Sequence, residues 1–254
     1  MSKIALVVEY EGTRYHGSQI QENVPTVQGE IERALNRLTA EKIRIACASR
    51  TDAGVHAKGQ VAAFGTGSRL PLPTFVRALN YYLPPDIAVS RALRVRDEFD
   101  PRRDALSREY SYYLWNAGSR SPLVRRNAYF VPLPLDVEAM NVACQDLIGT
   151  RDVAPFASSV EGGKNTVRTV YRAQVMRKGH LVIFHMRAPS FLPHQVRNTI
   201  GALLKVGLAK NDVETFRQIA CSKMLGVAGP ALPPYGLCLT KVNYPDDGAW
   251  DENL

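Results

Sequence analysis

One stretch of this chain, Cys47-Ala-Ser-Arg-Thr-Asp-Ala-Gly-Val-His-Ala57, gathers Arg50, Asp52 and His56 around Gly54. In locally extended backbone, side chains two residues apart project to the same side. Arg50 would then set a guanidinium beside the Asp52 carboxylate. A cation so placed favours the ionised acid and fixes its orientation, as a carboxylate nucleophile requires. A plain strand-to-strand connection would also choose Asp52 and Gly54, for turn geometry, but it leaves the position of Arg50 unexplained. Other side chains could do chemistry with less help from spacing. Tyr110 and Tyr112 share one face of an alternating segment, with Tyr113 on the other, and by spacing alone they read as core. Arg197 stands in a helical pattern, where a solvated arginine is the common case. His16, His56, His180, His185 and His194 form no H-E-x-x-H or H-x-H cluster, so metal binding is discounted.

The elements that must carry these residues follow a repeated order. Lys3 to Tyr10 alternates as a strand. Thr26 caps a helix to about Leu38, its apolar stripe formed by Val27, Ile31, Leu35 and Leu38. Lys42 to Ala48 and Gly59 to Phe64 read as strands on either side of the Asp52 loop. Pro73 to Tyr82 is a short helix halted before Pro84, and Asp86 to Val95 is a strand. This is the β-α-β-β-α-β plan, with two helices on one face of an antiparallel sheet. A second pass follows: strands at Ser107 to Trp115 and Ala128 to Val131, a helix at Asp136 to Ile148, and Thr166 to Arg177 pairing with His180 to Ala188. Helices at Leu192 to Val206 and Val213 to Cys221 and a strand at Gly236 to Tyr244 complete it. The expected fold is α+β, with two ferredoxin- or RRM-like halves, 1–104 and 105–254, whose antiparallel sheets join around a central cleft. The charged Asp100-Pro-Arg-Arg-Asp104 stretch marks the division. The acidic stretch Asp246 to Glu252 reads as a solvated tail.

Composition sets the surroundings. Hydrophobic residues make up 45% of the 254 and charged residues 22%, an ordinary globular balance. No apolar run is long enough for a membrane span, and the first residues read as a strand, not a signal peptide; a cytoplasmic location is expected. Cys47, Cys144, Cys221 and Cys238 show no C-x-x-C spacing and read as buried thiols of a reducing compartment. The net charge of +8 favours a polyanionic partner without naming one, although a basic surface kept for solubility would look the same. Arginine supplies 23 of the 32 basic residues, and its planar fork suits phosphate and stacks on bases.

The segment Arg50-Thr-Asp-Ala-Gly-Val-His-Ala57 resembles the signature of the tRNA pseudouridine synthase A family, in which the aspartate of R-T-D-x-G-V-H is the nucleophile. Four more segments keep the family's order. Tyr10-Glu-Gly-Thr-Arg-Tyr-His-Gly-Ser-Gln19 is similar to its Y-D-G-x-x-Y-x-G-W-Q opening, and Ser107-Arg-Glu-Tyr-Ser-Tyr-Tyr113 to R-x-Y-x-Y. Phe191-Leu-Pro-His-Gln-Val-Arg-Asn198 is similar to F-x-x-H-M-V-R-N, and Pro233-Pro-Tyr-Gly-Leu-Cys-Leu239 to the A-P-x-x-G-L-x-L ending. The chain departs at Ser18, where the family usually has tryptophan, at Ser49 for glycine and at Gln195 for methionine. A serine offers no indole platform for RNA. Glu109, beside Tyr110, is a further oddity next to a polyanion.

The resemblance implies the pseudouridine synthase fold, a cofactor-free isomerisation of uridine at positions thirty-eight to forty of the tRNA anticodon stem-loop, and a homodimer holding one tRNA. It implies Asp52 as nucleophile, Tyr110 stacked on the target uracil, and Arg197 paired with Asp52. Arg50 shares that task or holds the backbone of the flipped nucleotide. His56, Arg14, Gln19 and Leu237 would join Tyr110 in binding substrate. Two rivals stand beside this reading: a non-catalytic RNA-binding protein of two RRM-like halves, against which the missing RNP1 pattern counts, and a pseudouridine synthase acting at another RNA site.

Overall fold

A computed structural model describes residues 2–160 and 165–245; the acidic stretch Asp246 to Glu252 lies outside them. The chain divides into two compact units, one of the residues up to Arg108 together with those from Leu239 on, the other Glu109–Cys238.

In the first unit, β1 (Ser2–Tyr10), α1 (Val27–Thr39), β2 (Ala46–Cys47), β3 (His56–Thr66), α2 (Leu72–Tyr82) and β4 (Ile87–Val95) follow the expected order. β1 lies between β3 and β4, antiparallel to both, with Leu6 opposite Ala62 and Ala92. Alternation buries Ile4, Leu6, Val8 and Tyr10 on one face. Phe64, opposite Ile4, meets Phe75 of α2 at 6.3 Å between ring centres, so the helices cover that face. Thr26 caps α1 as its sequence predicts, its Oγ1 accepting from the Gly29 N–H at 3.2 Å. Ile31 and Leu35 are fully buried, and each contributes about 2 kcal/mol of apolar transfer.

Lys42 to Ala48 is less of a strand than its alternation suggests. Only Ala46 and Cys47 pair, opposite Ala63 and Ala62. Ile43 and Ile45 are buried, yet the Ile45 N–H donates to the Glu32 side chain of α1 at 3.1 Å instead of to a neighbouring strand.

β5 (Ser107–Asn116) enters the second unit at Glu109. There follow β6 (Tyr129–Val131), α3 (Val137–Gln145), β7 (Gly149–Asp152), β8 (Val167–Val170), β9 (Arg172–Lys178), β10 (Leu181–Ala188), α4 (Gln195–Gly207) and α5 (Val213–Cys221). The sheet runs β5-β10-β9. A two-residue turn, Gly179-His180, joins β9 to β10, with Gly179 at φ 59°; a glycine adopts that conformation without strain. Val182, Phe184 and Met186 of β10 are fully buried, as are Met140 of α3 and Ile200 and Leu203 of α4. The two helices approach so closely that a Cβ on Gly207 would stand 2.5 Å from the Met140 sulfur.

Three expectations change in this unit. The run Thr166 to Arg177 is broken at Tyr171 into β8 and β9, and β8 pairs with β7 in a separate two-stranded sheet. β6 pairs parallel to β5, so the sheet is not wholly antiparallel. The helix expected from Leu192 begins at Gln195, because His194 sits in the left-handed region at φ 58°.

The final strand, β11 (Leu237–Asn243), returns from Leu239 onward to the first unit, beside β3. A Cβ on Gly59 would lie 2.6 Å from the Thr240 carbonyl oxygen, so glycine admits that approach. A division at residue 104 leaves this strand with the second half; its packing puts it with the first.

Candidate active site

The Asp52 loop leaves β2 and enters β3, and its backbone is held at nearly every step. Ala48 N–H donates to the Val61 carbonyl at 2.8 Å, and the buried Arg108 guanidinium donates to the Ala48 carbonyl at 3.0 Å. Gln60 grips Ser49 through both ends of its amide, accepting from the Ser49 N–H at 3.2 Å and donating to its carbonyl at 2.8 Å. Then the segment 10–18 closes on the loop from the other side. Ser18 and Thr51 exchange two bonds: Thr51 N–H donates to Ser18 Oγ at 2.9 Å, and Ser18 N–H donates to the Thr51 carbonyl at 3.0 Å. The Tyr10 hydroxyl meets Thr51 Oγ1 at 2.8 Å. Gly54, at φ 78°, donates to the Tyr15 carbonyl at 3.3 Å.

Close approach explains the glycines of the opening segment. A Cβ on Gly12 would stand 2.0 Å from the Val55 carbonyl oxygen, and one on Gly17 would stand 2.8 Å from that of Thr51. Gly17 also has φ 94°. Thr51, Val55 and His56 are buried, while Asp52 and Ala53 between them are exposed. A tight turn, Val55 N–H to the Asp52 carbonyl at 3.1 Å, presents that pair to solvent. An anchored backbone carrying one exposed carboxylate is the arrangement that pre-positions a reacting group.

The other sequence-predicted residues of this unit occupy different states. Arg50 is exposed. His56 is buried, its Nδ1 accepting from the Gly12 N–H at 2.9 Å, so that atom serves the loop. Arg14 is largely exposed and pairs with Asp86 at 3.2 Å. The Tyr15 hydroxyl donates to the other Asp86 oxygen at 2.6 Å; burial first, then that carboxylate, pushes the phenol well up. Gln19 is exposed. Ser18 replaces the expected aromatic with a buried hydroxyl whose task is to hold Thr51.

In the second unit, Tyr110 is buried and meets Phe191 edge-on, ring centres 5.2 Å apart. Arg197, on the first turn of α4, is half-buried; its Nε donates to the Leu232 carbonyl at 2.7 Å, and Leu232 N–H donates back to the Arg197 carbonyl at 3.3 Å. The Tyr112 hydroxyl donates to the Pro233 carbonyl at 2.8 Å, and burial drives its pKa far up. Together these hold the segment leading to the buried Leu237. Glu109 points away from Tyr110 by strand alternation and pairs with His185 at 3.4 Å.

Tyr15, Asp86 and the Ser18–Thr51 exchange lay beyond sequence reasoning. The signal was present in a segment with two glycines and neither strand nor helix period, but its partner was not legible. Among the described residues no cluster of candidate metal ligands occurs, and no helix is long and apolar enough to cross a membrane.

The family model described as tRNA pseudouridine synthase matches residues 6–102 and 143–245. Whole sequences agree as well. The tRNA pseudouridine synthase A of Syntrophomonas wolfei is 40% identical over 247 residues, covering 97% of this chain and 99% of that one. Those of Roseiflexus castenholzii and of Geobacter sp. strain M21 are 43% and 41% identical, covering 98% and 97% of this chain and 93% and 100% of their own.

Proposed function

This chain belongs to the tRNA pseudouridine synthase A family, isomerases that pseudouridylate tRNA, and from that premise we propose that it acts on uridines thirty-eight to forty of the anticodon stem-loop with Asp52 as nucleophile. The reaction breaks the C1′–N1 bond, turns the uracil and joins C5 to C1′. C5 gives up a proton and N1 gains one, so nothing is oxidised and no co-substrate is consumed. A carboxylate is suited to attack the sugar or the base, or to remove a sugar proton.

The observation that carries this reading is the exposed Asp52 on a backbone pinned through Ala48, Ser49, Thr51, Gly54 and His56. A stem uridine must leave its stack to reach such a group, at a cost of a few kcal/mol. Tyr110 stacks on the everted uracil, and Arg197 and Arg50 supply the cations that orient Asp52 and hold the nucleotide backbone. His56, Arg14, Gln19 and Leu237 complete the substrate contacts. The enzyme works as a cytoplasmic homodimer that holds one tRNA.

Tritium release from tRNA labelled at uridine C5 tests the nucleophile. Asp52→Ala abolishes release while tRNA binding persists; equal release from both proteins refutes the assignment. Primer-extension mapping after carbodiimide treatment of tRNA from a deletion strain tests the address. Loss of pseudouridine confined to sites outside the anticodon arm overturns it.

A further inference from the structure

Within Glu109–Cys238, arginine twice stands directly opposite arginine. In the β7–β8 ladder Arg151 faces Arg168, and in the β9–β10 ladder Arg172 faces Arg187. Residues directly opposed across an antiparallel pair point to the same face with Cβ atoms about 5 Å apart, and like charges there repel. One such pair could be chance. Two, with β8 and β9 separated only by Tyr171, call for a counter-charge.

The described residues supply none. Among the described residues no carboxylate forms an ion pair with any of the four guanidiniums. Asp152 alternates to the face away from Arg151, and its Oδ1 accepts from the Ala154 N–H at 3.0 Å. Glu109 stands instead 3.4 Å from His185. Backbone carbonyls steady the first pair: Arg151 Nη2 donates to Ile148 at 3.2 Å, and Arg168 Nη1 donates to Asn165 and to Val167, each at 2.7 Å. Both arginines keep an Nε–H without an acceptor. Arg172 and Arg187 are exposed. The Arg187 guanidinium lies over the Tyr171 ring at 5.6 Å, and Tyr171 is itself 48% exposed.

We propose that the two opposed arginine pairs bind successive stretches of the sugar–phosphate backbone of the tRNA substrate. Each pair offers planar, always-charged donors to a phosphate, and the anion removes the repulsion built into the ladder. Two such sites on consecutive strands suit a polyanion better than a lone phosphate. The proposal rests on tRNA being the substrate, and it adds a surface formed by residues outside the Asp52 loop.

The test is the salt dependence of binding to an unmodified tRNA transcript, with the full chain. Two double variants, Arg151→Gln with Arg168→Gln and Arg172→Gln with Arg187→Gln, are compared with Arg44→Gln with Arg217→Gln. The last removes the same formal charge from arginines already paired with Glu32, Asp146 and Glu214. Loss of a phosphate contact lowers the slope of log affinity against log salt by about one unit. Each test variant should show that drop, with KM raised, kcat kept and the thermal midpoint unchanged or higher. The control should keep the wild-type slope. Slopes equal to the control's, or a midpoint several degrees lower, overturn the proposal, the latter because it makes the arginines scaffold. A wild-type protein that neither binds nor turns over tRNA counts against the proposed function instead; turnover with unmoved slopes counts against the arginine pairs alone.

Discussion

Gly12→Ala puts the smallest possible side chain where the opening segment meets the Asp52 loop. The added Cβ would lie 2.0 Å from the Val55 carbonyl oxygen and 2.6 Å from its carbon. Even a very tight contact of 3.0 Å requires Val55 to retreat by about 1 Å, and both partners are backbone, with no rotamer to yield. Val55 N–H also closes the turn on the Asp52 carbonyl at 3.1 Å, so the retreat carries the aspartate with it. A misplacement of about 1 Å costs about 100-fold in rate, or about 2.7 kcal/mol of transition-state stabilisation. Overpacking costs stability too, about 1–3 kcal/mol, which a folded enzyme of ordinary stability survives. The assay is tritium release under single-turnover conditions, with circular dichroism and a thermal midpoint to establish folding. Gly65→Ala is the control, because a Cβ there meets nothing within 4 Å. A folded Gly12→Ala protein with activity within about threefold of wild type would refute the reasoning that this contact sets the position of Asp52.

Ser18→Ala should lower both stability and kcat, since it strips the buried Thr51 N–H of its acceptor at 2.9 Å; an unsatisfied buried donor costs about 1–3 kcal/mol, read from urea unfolding alongside tritium release. His185 gives a pH signature. Burial chiefly, opposed by the neighbouring Glu109, holds its folded pKa below the ordinary value of 6.5. The unfolded chain therefore takes up the proton first as pH falls. The stability contributed by neutral His185 is complete above about pH 6.5 and is lost on acidification down through the folded value. His185→Gln should flatten the unfolding free energy between about pH 7 and pH 5.5 relative to wild type, and an unchanged pH slope would count against the shift.

What could be read in advance was set by short-range physics. The Thr26 cap and the Val27, Ile31, Leu35 stripe depend on residues within a few turns, and α1 follows them. Val213–Cys221 behaves likewise, its Asp212 side chain accepting from the Thr215 N–H at 2.7 Å. Elements decided by distant partners were not legible. β7 is a four-residue Gly-Thr-Arg-Asp strand without apolar alternation, and it exists because Val167–Val170 pairs with it. Ile43 and Ile45 alternate like strand residues, but a carboxylate thirteen positions upstream takes the Ile45 N–H. The candidate site divides the same way. The run from Arg50 to His56 announces chemistry through residue type and spacing. The clamp of Gly12, Tyr15, Gly17 and Ser18 that immobilises it is a contact between segments over thirty positions apart, visible only once the chain is folded.

The return of β11 to β3 has a bearing on biogenesis. Residues 48–56 are translated long before Leu237–Asn243, the strand that flanks the start of β3 at Gly59. Until that strand is made, that margin of the sheet shows unpaired amide and carbonyl groups, a template for illicit pairing with other nascent chains. A premature stop before Leu237 would therefore do more harm than deletion of one peripheral strand. It would leave an open, aggregation-prone edge on the remaining sheet.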